Sequence, residues 1–206
     1  MLHLAKPAVI FDAGGGTGRF AIPLYRNGYQ VIVEEINPLP LKILLNREPA
    51  IPLILLDSKV KLFPIKESSV DCVLCIGVYS LIESEWFFCE CNRILKQNGI
   101  IIFTHYNRHS YKGFYKKFVL KEDFSEDFSK HPWKKLNYAS SFQQIKLRLK
   151  NAGFKLTRAK GYHWPPASYA SNTKLVPYFA AIERLLCLDL LVSLSPWIII
   201  QARRIK

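Results

Sequence analysis

Val9-Ile10-Phe11-Asp12-Ala13-Gly14-Gly15-Gly16-Thr17-Gly18 is the stretch on which the fold turns. An apolar run ends in an acid and is bounded at once by turn formers, the pattern of a strand buried on both faces of a parallel sheet. Gly14, Gly16 and Gly18 follow at alternate positions. They predict a tight turn that lets the backbone approach a ligand closely. The segment from Thr17 to Arg26 reads as a helix whose free N–H groups would face the same ligand. A nucleotide-like cofactor with an anionic end is the expected occupant of such a corner.

The glycine spacing narrows the choice of cofactor. A dinucleotide fingerprint needs a third glycine three residues after the second, and Arg19 holds that position. A P-loop needs Gly-Lys-Ser/Thr, which does not follow. The next strand candidate runs from Tyr29 to Glu35. Glu35 lies about twenty residues beyond the loop, where an acid can accept two hydrogen bonds from ribose hydroxyls. Glu34 points to the opposite face. A third strand candidate, Ile51 to Leu56, ends in Asp57. Leu62 to Val78 holds a polar turn and a strand started by Asp71, with Gly77 where that strand opens. Cys91 to Phe103 reads as a helix, a Gln97-Asn98-Gly99 turn and a fifth strand.

In order and spacing these segments resemble the class I S-adenosylmethionine (SAM)-dependent methyltransferases, and the resemblance covers nearly the whole chain. It implies an α/β fold, a seven-stranded and mostly parallel doubly wound sheet whose last strand is antiparallel and inserted beside the fifth. It implies SAM as cofactor, bound by Asp12, Gly14, Gly16, Gly18, Glu35, Asp57 and Gly77, with Glu35 on the ribose and Asp57 on the adenine amino group. Ser141-Phe142 through Phe154 resembles the later helix and the start of strand six. The Asn-Pro-Pro-Tyr or Asp-Pro-Pro-Tyr that marks members methylating nucleobase or glutamine amino groups does not follow strand four. Ile76-Gly77-Val78-Tyr79 stands there and resembles small-molecule and lipid-pathway members. A small-molecule methyl acceptor is therefore expected, with transfer to an O, N or C nucleophile. An RNA methyltransferase and a non-catalytic SAM-binding protein are the alternatives.

Strands are expected near 8–12, 30–35, 52–57, 71–76, 99–104, 154–161 and 197–203. Helices are expected near 17–27, 39–47, 83–97, 141–152 and 175–194. Such alternation implies a doubly wound sheet, and ligands bind outside the carboxyl ends of its strands. Residues 1–206 read as a single methyltransferase domain with two variable, substrate-capping regions, 105–140 and 162–195. The first is long enough to suggest function. Because SAM brings its own reactive methyl, a general base is optional. His105 is the candidate catalytic residue for its place at the end of strand five; Tyr79, Tyr106, His109 and His163 are further candidates. Family members carry helices before the first strand that have no counterpart ahead of Val9. The expectation is a more open site, a lid supplied by the capping regions, or a truncated form.

The 206 residues are half hydrophobic, enough for a sizeable core and against disorder. The net charge of +13 is uneven. Residues 1–103 balance ten Lys/Arg against ten Asp/Glu, whereas residues 104–206 carry nineteen against six. A polyanion footprint and a merely solvated surface both fit that excess, and nucleic acid is not favoured, since no RNA-binding module accompanies it. No leader peptide is expected, because the first strand is reached within about eight residues, and no membrane span, because the apolar run from Leu185 to Ala202 is broken by Asp189 and Pro196. Reduced, buried cysteines and a cytoplasmic location follow from the cysteine spacing. Cys72 and Cys75 fall on opposite faces of a strand, so no metal is expected. A homo-oligomer remains open.

Overall fold

A computed structural model describes residues 4–119, 140–164 and 176–205. Its seven strands are β1 (Val9–Ala13), β2 (Gln30–Glu35), β3 (Leu53–Leu55), β4 (Val70–Cys75), β5 (Leu95–Tyr106), β6 (Phe154–Tyr162) and β7 (Trp197–Arg204). They form one sheet in the order β3-β2-β1-β4-β5-β7-β6. The first five are parallel, and β7 lies antiparallel between β5 and β6. This is the expected doubly wound sheet. The order reverses at β1, with β2 on one side and β4 on the other, so the glycine loop sits at the switch point where such sheets bind ligands.

The helices are α1 (Ala21–Arg26), α2 (Pro38–Arg47), α3 (Tyr79–Glu83), α4 (Phe87–Ile94), α5 (Tyr111–Phe118), α6 (Phe142–Asn151) and α7 (Val176–Leu185). One sheet face packs Phe11, Val73, Ile101, Phe103 and Ile200 against Ile82 of α3, Phe87 and Cys91 of α4 and Ile145 of α6. The other packs Ile10, Val31 and Val33 against Ala21 and Ile22 of α1 and Leu41 and Leu44 of α2. Caps fix where several helices start. Asn37 Oδ1 accepts from Leu39 N at 3.0 Å, ahead of a proline at the first position of α2. Ser141 and Gln144 form a reciprocal capping box on α6.

Local chemistry also explains where the elements differ from expectation. The helix expected over 83–97 is two helices and the start of a strand. Ser84 turns its hydroxyl back to Leu81 O at 2.7 Å and leaves the helical region, which ends α3. Leu95 already pairs with Val70, and regular pairing resumes at Cys72 with Ile100, so residues 96–99 loop out inside β5. The helix expected from 17 to 27 begins only at Ala21, after the turns of the glycine loop. That expected over 175–194 stops at Leu185, and Cys187 in the left-handed region leads into a short 3-10 turn, Leu188–Leu190. Region 105–140, for which no helix was expected, contains α5; residues 120–139, with Trp133, lie outside the described residues, as do 165–175. Cys72, Cys75 and Cys91 are buried as expected, but Cys89 and Cys187 are exposed.

Candidate active site

The glycine loop is held from β2. Gly14 N and Gly15 N donate to Glu34 O at 2.8 and 3.0 Å. Gly14 N also donates to Glu34 Oε2 at 3.2 Å, and Gly16 N donates to Glu35 Oε2 at 3.2 Å. Gly18 N turns back to Gly15 O at 3.0 Å. The N–H groups of Gly14, Gly15, Gly16 and Gly18 are therefore spent on two acids and on the loop itself. Glu34, read as facing away, is the missed residue. The register pairs Ala13 with Glu34, which brings the start of the loop beside its carboxylate. Two successive acids at the end of an apolar strand were the signal for it.

Three carboxylates ring this loop. Asp12 is 2% exposed, and its Oδ2 has no hydrogen-bond partner. Burial, then the neighbouring Glu34 and Glu35, push its pKa up to about 7. Glu34, 3% exposed, is also pushed to about 7, by burial and by Glu35 and against the opposing hydrogen bond from Gly14. A Cβ at Gly15 would stand 2.8 Å from Asp12 Oδ2, so glycine leaves room for that carboxylate. No Lys or Arg among the described residues forms an ion pair with any of the three acids. Buried carboxylates without a cation favour a positively charged guest. SAM carries a sulfonium and an ammonium, and the site fits it; a pyrophosphate would be repelled.

The surroundings leave space for that guest. A Cβ at Gly16 would meet nothing nearer than Glu35 Oε2 at 3.9 Å, and one at Gly77 would meet nothing within 4 Å. By contrast, one at Gly14 would stand 2.4 Å from Val78 and one at Gly18 2.4 Å from Leu44, so these two glycines serve close packing. Gly77 N is fixed by Thr104 Oγ1 at 2.8 Å, which ties the end of β4 to β5. Glu35 Oε1 accepts from Ile36 N and Asn37 N, at 2.9 and 3.0 Å, so the carboxylate is oriented by backbone on both oxygens. Leu56 N donates to Glu35 O at 3.1 Å and brings the chain after β3 alongside. There Asp57 is exposed, and its Oδ1 accepts from Lys59 N at 2.8 Å. The sequence-derived residues Asp12, Gly14, Gly16, Gly18, Glu35, Asp57 and Gly77 thus all stand at one end of the sheet.

His105 stands apart. It is 1% exposed, on the sheet face packed by α3 and α6. Its Nδ1 lies 3.9 Å from Glu83 Oε1, and Glu83 is itself held by Ser140 Oγ at 2.6 Å and Arg148 at 3.0 Å. Burial pulls the imidazole down to about 3, so it is neutral at physiological pH, with Nε2 unpartnered.

Beside Gly77 an aromatic cluster closes the other half of the site. Tyr79 lies 3.9 Å from Tyr106 between ring centroids, and Tyr106 packs edge-on to Trp197 at 4.3 Å. Tyr162 and His163 flank Trp197 at 5.6 and 5.2 Å. Antiparallel β7 begins at Trp197, so its first residue is opposite both Tyr106 at the end of β5 and Tyr162 at the end of β6. Trp197 is nearly buried, while Tyr79, Tyr106, Tyr162 and His163 keep part of their surface open. Sequence reading missed Trp197 and Tyr162, because only the antiparallel register brings them here.

Comparisons with known proteins agree with this geometry. Residues 11–103 match the family described as Methyltransferase domain. A SAM-dependent methyltransferase from Methanosarcina mazei superposes with a TM-score of 0.65 at 16% identity, over 98% of this chain and 94% of that one. One from Archaeoglobus fulgidus gives 0.63 at 16%, over 97% and 87%. A Thermotoga maritima protein described as a possible histamine N-methyltransferase gives 0.60 at 20%, over 98% and 84%. No curated protein matches the chain. A glycine loop at the switch point, acids on the first two strands and the match over residues 11–103 give that stretch a methyltransferase domain, and the chain as a whole has the fold of the class I SAM-dependent methyltransferases.

Proposed function

We propose that this enzyme transfers a methyl group from SAM to an O, N or C nucleophile of a small organic molecule seated on the aromatic cluster. The observation that carries this reading is the partly open group Tyr79, Tyr106, Tyr162 and His163 around Trp197, next to Gly77. A partly open group of aromatic rings with a few polar edges suits a ring-bearing or apolar acceptor. SAM supplies an electrophilic methyl on a cationic sulfur. The chain's own work is then to bind, orient and exclude water. Asp12 and Glu34 provide the negative field, Glu35 the ribose contact, Asp57 the adenine contact, and Gly16 and Gly77 the surface against which the cofactor lies, while Gly14 and Gly18 pack the loop in place.

Proton removal is a lesser part of the scheme. His105, the candidate acceptor at the end of β5, lies buried under α3 and α6, and an imidazole held near 3 takes a proton only from an already acidic nucleophile. His163, drawn down to about 4 by burial and by Lys112, has the same restriction. A neutral amine needs no base. The capping regions 105–140 and 162–195 would cover the acceptor.

Two measurements test this. Glu35→Ala and Asp57→Ala should each weaken SAM by about ten- to a hundred-fold, the equivalent of roughly 1.5–3 kcal/mol for a lost charged hydrogen bond; calorimetric titration reads it. Unchanged affinity in both variants removes the cofactor assignment at these strand ends. A methyl-transfer screen with labelled SAM should set phenols, quinol precursors, amines, fatty acids and sugars against bulk RNA. Label in the small-molecule panel is expected. Label in RNA alone would transfer the reading to the basic half of the chain, and no label despite tight SAM binding would leave a binding protein.

A further inference from the structure

Helix α5 is mounted inside out. Its sequence, Tyr111-Lys-Gly-Phe-Tyr-Lys-Lys-Phe118, places Tyr111, Phe114, Tyr115 and Phe118 at the i, i+3, i+4, i+7 spacing of a single face. A helix of a globular protein normally turns such a face to the core. Here the four side chains are 41%, 46%, 54% and 65% exposed. The helix is held to the protein by Gly113, by Lys112 and by one edge of this face, Tyr111 and Phe114. Gly113 is buried so closely that a Cβ would stand 2.2 Å from Arg108 O. Lys112 Nζ donates to His163 O at 3.0 Å, and the Tyr111 hydroxyl donates to Trp164 O.

Helix α7 and the turn after it repeat the pattern. Tyr178, Ile182, Leu185 and Leu186 fall on one face and are 68%, 48%, 82% and 60% exposed; Leu190 and Leu194 continue the strip at 70% and 54%. The two segments are joined. Trp164, whose ring stacks on Tyr111 at 6.1 Å, donates its backbone N–H to Glu183 Oε1 of α7 at 2.9 Å. Phe114 and Leu194 line a common cavity of about 320 Å³. Twelve of the 23 exposed large apolar side chains among the described residues lie in these two segments, so the exposure is concentrated rather than scattered.

We propose that this apolar strip is a docking surface for an anionic phospholipid bilayer, on which the protein lies without crossing it. No described helix is long and apolar enough to span a membrane. An amphipathic helix with aromatic residues on one face and lysines in its sequence suits the boundary between headgroups and acyl chains. The charge selects the partner. The chain carries +13, with all of the excess in residues 104–206. The α5 sequence contributes Lys112, Lys116 and Lys117, and α7 contributes Arg184. Of the acids nearby, Glu183 is engaged by Trp164 and Asp189 by Lys160. A second copy would bring the same positive side against itself, because a two-fold contact is self-complementary. A negatively charged lipid surface meets both the apolar strip and its basic surroundings. The strip also adjoins the acceptor half of the site, since the His163 that anchors Lys112 packs on Trp197.

The proposal stands apart from the identity of the acceptor, so its test reads binding and no methyl transfer. The full chain is floated with vesicles of phosphatidylcholine, with or without phosphatidylglycerol. Partition onto the anionic vesicles is expected, weaker onto phosphatidylcholine alone. The double variant Phe118→Asp/Leu185→Asp changes only exposed positions and should lower partition at least tenfold, with unchanged circular dichroism and Tm. Leu147→Asp, an exposed position on α6, introduces the same kind of charge elsewhere and should leave most of the binding intact. The proposal is overturned if anionic vesicles are not bound. It is equally overturned if Leu147→Asp weakens binding as much as the double variant, or if light scattering finds a dimer that only the double variant dissociates.

Discussion

Gly16→Val removes SAM and S-adenosylhomocysteine binding, by more than about a hundred-fold, while the protein stays folded. The reason is where the new side chain goes. A Cβ at Gly16 has no protein atom nearer than 3.9 Å, so valine fills the space left for the ligand rather than the core. The residue sits at φ +55°, where a β-branched side chain is strained by about 1–3 kcal/mol. In a chain of this size that lowers Tm by roughly 2–4 °C per kcal/mol, well short of unfolding. Gly18→Val is the internal control. Its φ is also positive, +82°, but its Cβ would stand 2.4 Å from Leu44 Cδ1, inside the core under α2. That variant loses stability first and binding with it. Calorimetry and thermal melts on the two variants separate the cases. If Gly16→Val binds SAM with wild-type affinity, the cofactor lies elsewhere.

Much of this was legible in the sequence, and what was not has a common cause. Backbone periodicity and turn chemistry act locally, so β1, the glycine loop, the run to Glu35 and the fourth strand could be read in order. Asp12, Glu35, Asp57 and Gly77 could be placed because strand ends of a doubly wound sheet point to one edge. Interactions made across the fold could not. Which groups receive the loop N–H bonds depends on the register of β1 with β2, which brings Glu34 beside the start of the loop. Trp197 and Tyr162 come to the acceptor side only through antiparallel pairing of β7 with β5 and β6. The histidine at the end of β5 looked accessible by position, yet alternation along the strand turned it under α3 and α6. The apolar stripe of α5 was visible as periodicity, but a stripe alone does not say whether it faces the core.

The carboxylates around the loop make both stability and cofactor affinity depend on pH, in opposite senses. Asp12 has an ordinary pKa of 3.8 and is held at about 7 in the folded protein; Glu34 goes from 4.5 to about 7. The folded state therefore keeps protons that the unfolded chain releases. The contribution of these two acids to stability is greatest below pH 4, falls as pH rises through 4 to 7, and levels off above 7, because there the ionised acids are buried without a cation. Asp12→Asn removes one buried charge and offers an N–H toward the neighbouring acids. It should stabilise the free protein at pH 8 by roughly 1–3 kcal/mol, or about 2–8 °C in Tm, and have little effect at pH 4. Cofactor affinity runs the other way. A cationic ligand prefers the ionised acids, so SAM binding strengthens as pH rises towards 7 and is flat beyond, with a slope of up to tenfold per pH unit for each proton released. The same Asp12→Asn variant should bind SAM about tenfold or more weakly at pH 8 and show a shallower slope below 7. Calorimetric titrations in buffers of different ionisation enthalpy count the protons released on binding. A wild-type protein that releases none at pH 6, or an Asp12→Asn variant that is both less stable and unchanged in affinity at pH 8, would show that these acids serve the fold and not the cofactor.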